Sequence, residues 1–344
     1  MSIDTLDAFL EANIKEYVGR AFHQPVERVR VRKLVGDAST RQYFRVTLPD
    51  GRRVVLAHYP DPIDPTTHPT CEVTRLLERA GLPVPRIIDI EQKRGFMLVE
   101  DLGDQRLQDW VPRATPEERR RVYGQAIDLI LRIQAATPLA ERLGCRAARL
   151  AFDEEKLLWE LSFFYENFFE RLRARPLDGR MKTKLFDEFT ALARALAARP
   201  RVLCHRDYHS RNLMLREGRL YIIDHQDARM GPMSYDVASL LGDPYVALDE
   251  NFRREMLDYF IARRREWEPE STDPAWLSQF EAEYHLMLIQ RLLKAVGTYA
   301  YQSAVVGNPV YDRYIPRALQ TALTAARAVD RFPVIRSTLE ELRP

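Results

Sequence analysis

The periodicity of the chain changes once, near Gly103, and this change constrains the fold more than any other feature. Before it come short runs with the period of strands. Residues 29–35 and 42–48 alternate in polarity as half-buried strands do, and 53–57 follow the turn Pro49-Asp-Gly51. Residues 87–90 and 96–100 form another pair around Lys93-Arg-Gly95. Short turns between such runs predict antiparallel pairing. Two helices accompany them: one over 4–24, with Leu6, Phe9, Leu10, Ile14 and Val18 on one face, and one over 72–79 that stops at Gly81. Beyond Gly103 long helical periodicities take over, at 116–136, 153–173, 181–198, 249–267, 275–302 and 311–330. One short β segment, near 203–224, interrupts them. The expectation is an α+β chain with two lobes: a small five-stranded antiparallel β lobe over 1–102 and a larger helical lobe over 103–344.

Length and composition agree. A chain of 344 residues, 46% hydrophobic and 30% charged, can bury a core in each lobe. Its 52 basic residues nearly balance 50 acidic ones, which argues against a nucleic-acid partner, since that would demand a basic face. Many of the cations are arginines, so a local anion site stays open. The three cysteines, Cys71, Cys145 and Cys204, are too few and too far apart for a disulfide framework or a metal cluster. Buried, reduced thiols in a cytoplasmic protein are expected. Asp4 and Asp7 stand where a signal peptide would be basic, and no run of 18 apolar residues occurs, so no membrane association is expected.

The chemistry concentrates between 203 and 227. His205, Arg206, Asp207 and Asn212 fit the pattern H-R-D-x-x-x-x-N, and Asp224 follows twelve residues after Asn212, at the end of the apolar run 220–223. In a phosphoryl-transfer site such an Asp accepts the proton of a hydroxyl, while the Asn and the second Asp offer hard oxygens to magnesium. Either Asp207 or Asn212 alone reads equally well as a turn residue; the full pattern with Asp224 outweighs that reading. His205 and His209 sit in a polar loop, where histidines more often hydrogen-bond backbone groups than ligate metals. Asp227 is expected to face substrate or to hold the metal loop. Asp236 reads as a helix N-terminal residue, either a cap or a brace for the catalytic loop. Small residues between the first two strands, Gly36, Ser39 and Thr40 among them, can bring backbone N–H groups close to phosphates, although G-x-G-x-x-G is lacking and a plain turn fits as well.

At these residues the sequence resembles the aminoglycoside phosphotransferase and choline kinase superfamily. Within it, the chain is most similar to the anomeric kinases that phosphorylate N-acetylmuramate and N-acetylglucosamine at C1. Residues 36–45, 80–86, 231–241 and 288–297 carry that closer likeness. The resemblance implies a protein-kinase-like fold using ATP and Mg2+. Adenine would lie against the backbone from Glu100 to Leu102, with phosphates near Gly36, Ser39, Thr40 and Arg41. It also implies an amino-sugar acceptor between the catalytic loop and the helical segment 156–165. There Glu160 would accept hydrogen bonds from sugar hydroxyls and Trp159 or Phe164 would offer a flat face; the alternative is a core helix with a surface Glu. Arg291 and Lys294, one turn apart, would bind an anionic group of the acceptor or else form a solvated or salt-bridged face.

One departure matters. Many kinases hold the phosphates with a third-strand lysine paired to a helix Glu. Here Ala57 or His58 occupies that place, Glu72 loses its expected partner, and Arg41 or Arg45 become candidates for the work. Two alternatives follow: an aminoglycoside, choline-like or other small-alcohol acceptor, or a nucleotide-binding regulator without catalysis. A cationic acceptor would want a cleft rich in carboxylates, which Arg291 and Lys294 do not favour.

Overall fold

The computed structural model describes residues 7–34, 41–267 and 273–342. The leading helix α1 (Ala8–Phe22) starts at Asp7, whose carboxylate accepts from the Phe9 N–H. Leu6 lies outside the described residues. Phe9, expected on the packed face, is 77% exposed; Ile14, Tyr17 and Val18 do the packing.

Five strands follow: β1 (Arg30–Leu34), β2 (Gln42–Thr47), β3 (Arg53–His58), β4 (Ile87–Glu91) and β5 (Phe96–Glu100). They form one sheet in the order β1-β2-β3-β5-β4, every neighbour antiparallel. Period two divides their side chains. Phe44, Val46, Leu56, Phe96 and Leu98 pack on α1. Ala57 and Met97 point the other way, toward Ile63 and Cys71. Helix α2 (Pro69–Arg79) crosses that second face and ends at Gly81, whose φ of +70° is a conformation that side-chain-bearing residues rarely adopt.

The lobes are joined by polar contacts as well as by the chain. Arg45 of β2 is buried, donates to both carboxylate oxygens of Asp104 (2.6 and 2.7 Å) and to Asp101 (2.8 Å), and reaches the Gly103 carbonyl (3.0 Å). The second lobe opens with the short α3 (Leu107–Trp110) and then α4 (Pro116–Ala135), which is held at its start by a Thr115–Glu118 capping box. After α5 (Thr137–Arg142) and α6 (Arg146–Arg149), α7 (Glu154–Phe164) runs into a π-helical segment, Tyr165–Leu172, where one regular helix was expected. Helix α8 (Gly179–Ala197) precedes the β segment.

That segment holds a hairpin inside a second, wider pair. β6 (Arg201–Cys204) pairs with β9 (Arg229–Pro232), and β7 (Leu213–Arg216) pairs with β8 (Arg219–Ile222), both antiparallel. Helices α9 (Ser234–Leu241), α10 (Glu250–Trp267), α11 (Pro274–Ala304), α12 (Ile315–Ala328) and α13 (Pro333–Glu341) complete the lobe. The long α11 is its axis, packing on α7, the π-helical segment, α9 and α12. At Gly297 it comes so close that an added Cβ would lie 2.7 Å from Phe164 Cα. Among the described residues no helix is long and apolar enough to cross a membrane.

Candidate active site

The loop between β6 and β7 is held in shape by two buried carboxylates. Asp236, at the start of α9, accepts from the backbone N–H groups of His205 (2.7 Å) and Arg206 (3.1 Å). Asp243 accepts from the Ser210 N–H (2.8 Å). Of its two expected roles, Asp236 therefore takes the brace. Arg206 needs one, because its φ is +85°. Such a conformation costs a non-glycine residue about 1–3 kcal/mol and persists only where its surroundings enforce it. Asp224, in the loop after β8, is the second such residue, at φ +61°. The Ile223 N–H donates to the Asn212 carbonyl (3.0 Å), and a ring nitrogen of His205 lies 3.0 Å from the Ile223 carbonyl, so the two loops are locked together.

Asp207 projects into a cleft between the lobes and meets three cations. Lys294 Nζ lies 2.9 Å from Oδ1, Arg291 Nη1 3.6 Å from the same oxygen, and Arg206 Nε 3.8 Å from Oδ2. Burial alone would raise the Asp207 carboxyl, but Lys294, Arg206 and Arg291 outweigh it and hold the group well below the usual carboxylate range. Burial pushes the Lys294 ammonium down, with Asp207 opposing the shift. His209, packed edge-on against Tyr245, is pushed down to about 3 by burial and stays neutral. Among the described residues no cluster of three or more His, Cys, Asp or Glu side chains is arranged for a metal, so His205 and His209 form no such site.

Asn212 and Asp224 fit a different kind of metal. The Asn212 amide donates to the Asp207 carbonyl (2.9 Å), which leaves its side-chain oxygen as the outward group. Asp224 Oδ1 accepts from Arg41 (3.0 Å) and Gln226 (3.0 Å), while Oδ2 has no hydrogen bond among the described residues. Two hard oxygens with room for phosphates and water suit magnesium, which seldom takes an all-protein cage.

The cleft encloses about 1440 Å³. Ala57, Met97, Val99, Leu102, Met214 and Ile223 make one end an apolar slot, with the Glu100–Leu102 backbone along its edge. The Glu100 carboxylate itself points to Arg216 (3.0 Å) and Arg86 (3.5 Å). Arg41 stands between the slot and Asp224, with its guanidinium 5.9 Å from the rings of Tyr43 and Tyr59. Gly36, Ser39 and Thr40 lie outside the described residues. The far end is walled by Arg211, Tyr245, Tyr299 and Tyr311.

Some expectations require correction, and others are resolved between their alternatives. Arg45 does not position phosphates, since Asp101 and Asp104 engage its guanidinium. On β3, Ala57 faces the cleft and His58 packs edge-on against Phe96 (5.1 Å). The nearest cation to Glu72 is Arg149, at 4.0 Å. Glu160 is no surface residue: it is 1% exposed and accepts from Gln290 Nε2 (2.8 Å), and its Oε1 has no hydrogen bond among the described residues. Phe164 is buried in the core and offers no face to a ligand, whereas Trp159 is 53% exposed with Lys156 Nζ 3.8 Å above its ring. Arg291 and Lys294 line the cleft as a salt-bridged face rather than a solvated one. Arg291 donates to Tyr235 Oη (2.9 Å) and Ser239 Oγ (2.8 Å), and both cations turn to Asp207. Asp227 pairs with Arg206 (3.2 Å), so it belongs to the loop scaffold and still borders the cleft. The sequence reading missed Arg206 as the ion linking Asp207 to Asp227, and it missed the tyrosine wall. Arg206 was within reach, lying inside the quoted motif; the tyrosines come from three separate segments.

A kinase-like pair of lobes with this site at their junction makes the protein a phosphotransferase acting on a hydroxyl. The chain belongs to the phosphotransferase enzyme family, whose model matches residues 30–280. It is 30% identical to the N-acetylmuramate/N-acetylglucosamine kinase of Neisseria meningitidis serogroup B, over 89% of this chain and 88% of that one. To the Pseudomonas aeruginosa protein of the same name it is 32% identical, over 84% and 81%. A choline kinase from Cryptosporidium parvum shares the fold with a TM-score of 0.61 at 11% identity, over 96% of this chain and 99% of that one.

Proposed function

We propose that the protein transfers the γ-phosphoryl group of ATP to the C1 hydroxyl of N-acetylmuramate or N-acetylglucosamine. The observation that carries this reading is the charge around Asp207: three cations, Arg206, Arg291 and Lys294, contact it. A choline-like or aminoglycoside amine placed there would meet like charge. Adenine is assigned to the apolar slot beside Glu100 and Leu102, and the phosphates to the region of Arg41, Asn212 and Asp224. Asn212 and Asp224 would hold Mg2+, which would neutralise charge on the phosphates.

Asp207 orients the acceptor hydroxyl and takes its proton. Held far below the usual carboxylate range, it is a weak base. That is sufficient here, because an anomeric hydroxyl is more acidic than an ordinary alcohol and the transition state of phosphoryl transfer is loose, with the proton leaving late. With Arg291 and Lys294 engaged, an anionic substituent of the acceptor is assigned to Arg229 and Lys156. Arg229 Nε donates to the Asp227 carbonyl (3.3 Å), Lys156 rests on exposed Trp159, and neither forms an ion pair among the described residues. Glu160 lies beneath them as a buried counter-charge, and Trp159 offers the flat face for the sugar ring.

The test is acceptor-stimulated ADP release with N-acetylmuramate, N-acetylglucosamine, glucosamine, choline and an aminoglycoside. Stimulation by the two N-acetylated sugars is expected. Stimulation by choline or the aminoglycoside alone, or by nothing in the panel, overturns the reading.

A further inference from the structure

The reacting end of the cleft needs positive charge for the transferring phosphoryl group, and β3 has no lysine to supply it. The cations that line this end differ in what holds them. Arg41 is tied to Asp224. Arg291 is fixed by Tyr235 and Ser239. Arg206 is shared between Asp207 and Asp227. His209 is neutral. Lys294 is different: its ammonium has three N–H donors, and among the described residues its one side-chain hydrogen bond goes to Asp207 Oδ1 (2.9 Å). It lines the cleft from the middle of α11, a helix packed on six other elements among the described residues, so its Cα is rigidly placed.

We propose that Lys294 is a catalytic residue of phosphoryl transfer, holding Asp207 in the resting site and donating to the transferring phosphoryl group during reaction. It thereby supplies from α11 the charge that β3 lacks. The inference rests on the phosphotransferase reading of the site and not on which acceptor it takes. In the step itself, an acceptor lone pair forms the new P–O bond, and the bond from γ-phosphorus to the bridging oxygen breaks with its electron pair leaving on ADP. The hydroxyl proton passes to Asp207 and then to solvent. Lys294 keeps its proton throughout. As Asp207 is neutralised its hold on the ammonium weakens, while negative charge on the phosphoryl oxygens becomes the stronger attraction.

The alternative is that Lys294 only balances a buried carboxylate. Lys294→Met and Lys294→Arg, made in the full chain, separate the two. For Lys294→Met, kcat is expected to fall about 10²–10³-fold with KM for ATP and acceptor within about threefold, and Lys294→Arg to recover about tenfold. A readout without turnover is nucleotide titration followed by calorimetry. ADP with magnesium should bind Lys294→Met as it binds wild type, whereas ADP with aluminium fluoride, a mimic of the transferring phosphoryl group, should bind about 10²-fold more weakly. Equal loss of ADP and mimic binding, or kcat within about threefold of wild type, overturns the proposal. If Lys294→Met fails to fold, the comparison of ADP and mimic in Lys294→Arg and Lys294→Gln decides by the same criterion. Should wild type turn over none of the amino sugars, the acceptor reading falls and the mimic titration still tests Lys294.

Discussion

Asp207 keeps its charge because Lys294, Arg291 and Arg206 surround it, and Arg206 keeps its left-handed backbone because Asp236 accepts its N–H. Asp207→Asn removes the base and should lower kcat about 10²–10⁴-fold with little change in ADP affinity; steady-state kinetics check this, and wild-type turnover would contradict the assigned role. Arg45 makes a second prediction. Asp101 beside it is only 3% exposed on its side chain and would keep only Arg53 at 3.6 Å and the Gly103 N–H, so Arg45→Met should cost about 2–3 kcal/mol in urea unfolding. A loss below about 1 kcal/mol would show the pair to be dispensable. At this scale the sequence was informative where residues lie close in the chain, as from His205 to Asp224. It was silent on the Lys294–Asp207 contact, which spans 87 positions. Helical spacing put Arg291 and Lys294 on one face but could not say what that face meets. The burial of Glu160 was hidden for the same reason, since the opposing Gln290 comes from a distant helix.

Secondary-structure elements were legible where periodicity is clean. All five strands of the first lobe appear within a residue or two of expectation, because the central strands β2, β3 and β5 pack one face on α1 and turn the other to α2 and the cleft. β9 went unseen, since Arg-Met-Gly-Pro has neither alternation nor β-branched residues and is recruited by pairing with β6. The π-helical segment after α7 also has no local signature; it lies where α11 presses in at Gly297. Gly297→Ala should cost about 1–3 kcal/mol in thermal unfolding, as the new methyl meets backbone rather than a movable side chain. The subsite proposed for Lys156 of α7 and Arg229 of β9 makes a selectivity prediction. Arg229→Gln should raise KM for N-acetylmuramate about tenfold or more and leave N-acetylglucosamine within about threefold, because only the first has a carboxylate to lose. Equal changes for both sugars would remove the assigned subsite.

At the scale of the whole molecule, two lobes and their order were readable from the break in periodicity, whereas the joint between them was not. That joint depends on Arg45, Arg216 and the contact of Thr74 with His225, pairs brought together only by folding. The cysteines report on the integrity of both lobes. Cys71 is buried in the first, and Cys145 and Cys204 in the second, and burial pushes all three thiols up. The native protein at pH 8 should therefore react negligibly with a thiol reagent and the denatured chain should expose all three. Rapid labelling of the native protein would show that a lobe is open.

The central claim concerns which oxygen receives the phosphoryl group, and proton-coupled ³¹P NMR of the product from ATP and N-acetylglucosamine tests it most directly. The account predicts a phosphorus signal coupled to the anomeric proton, in a sugar that has lost its reducing end. Phosphorus coupled to the C6 protons, with the reducing end intact, would contradict it.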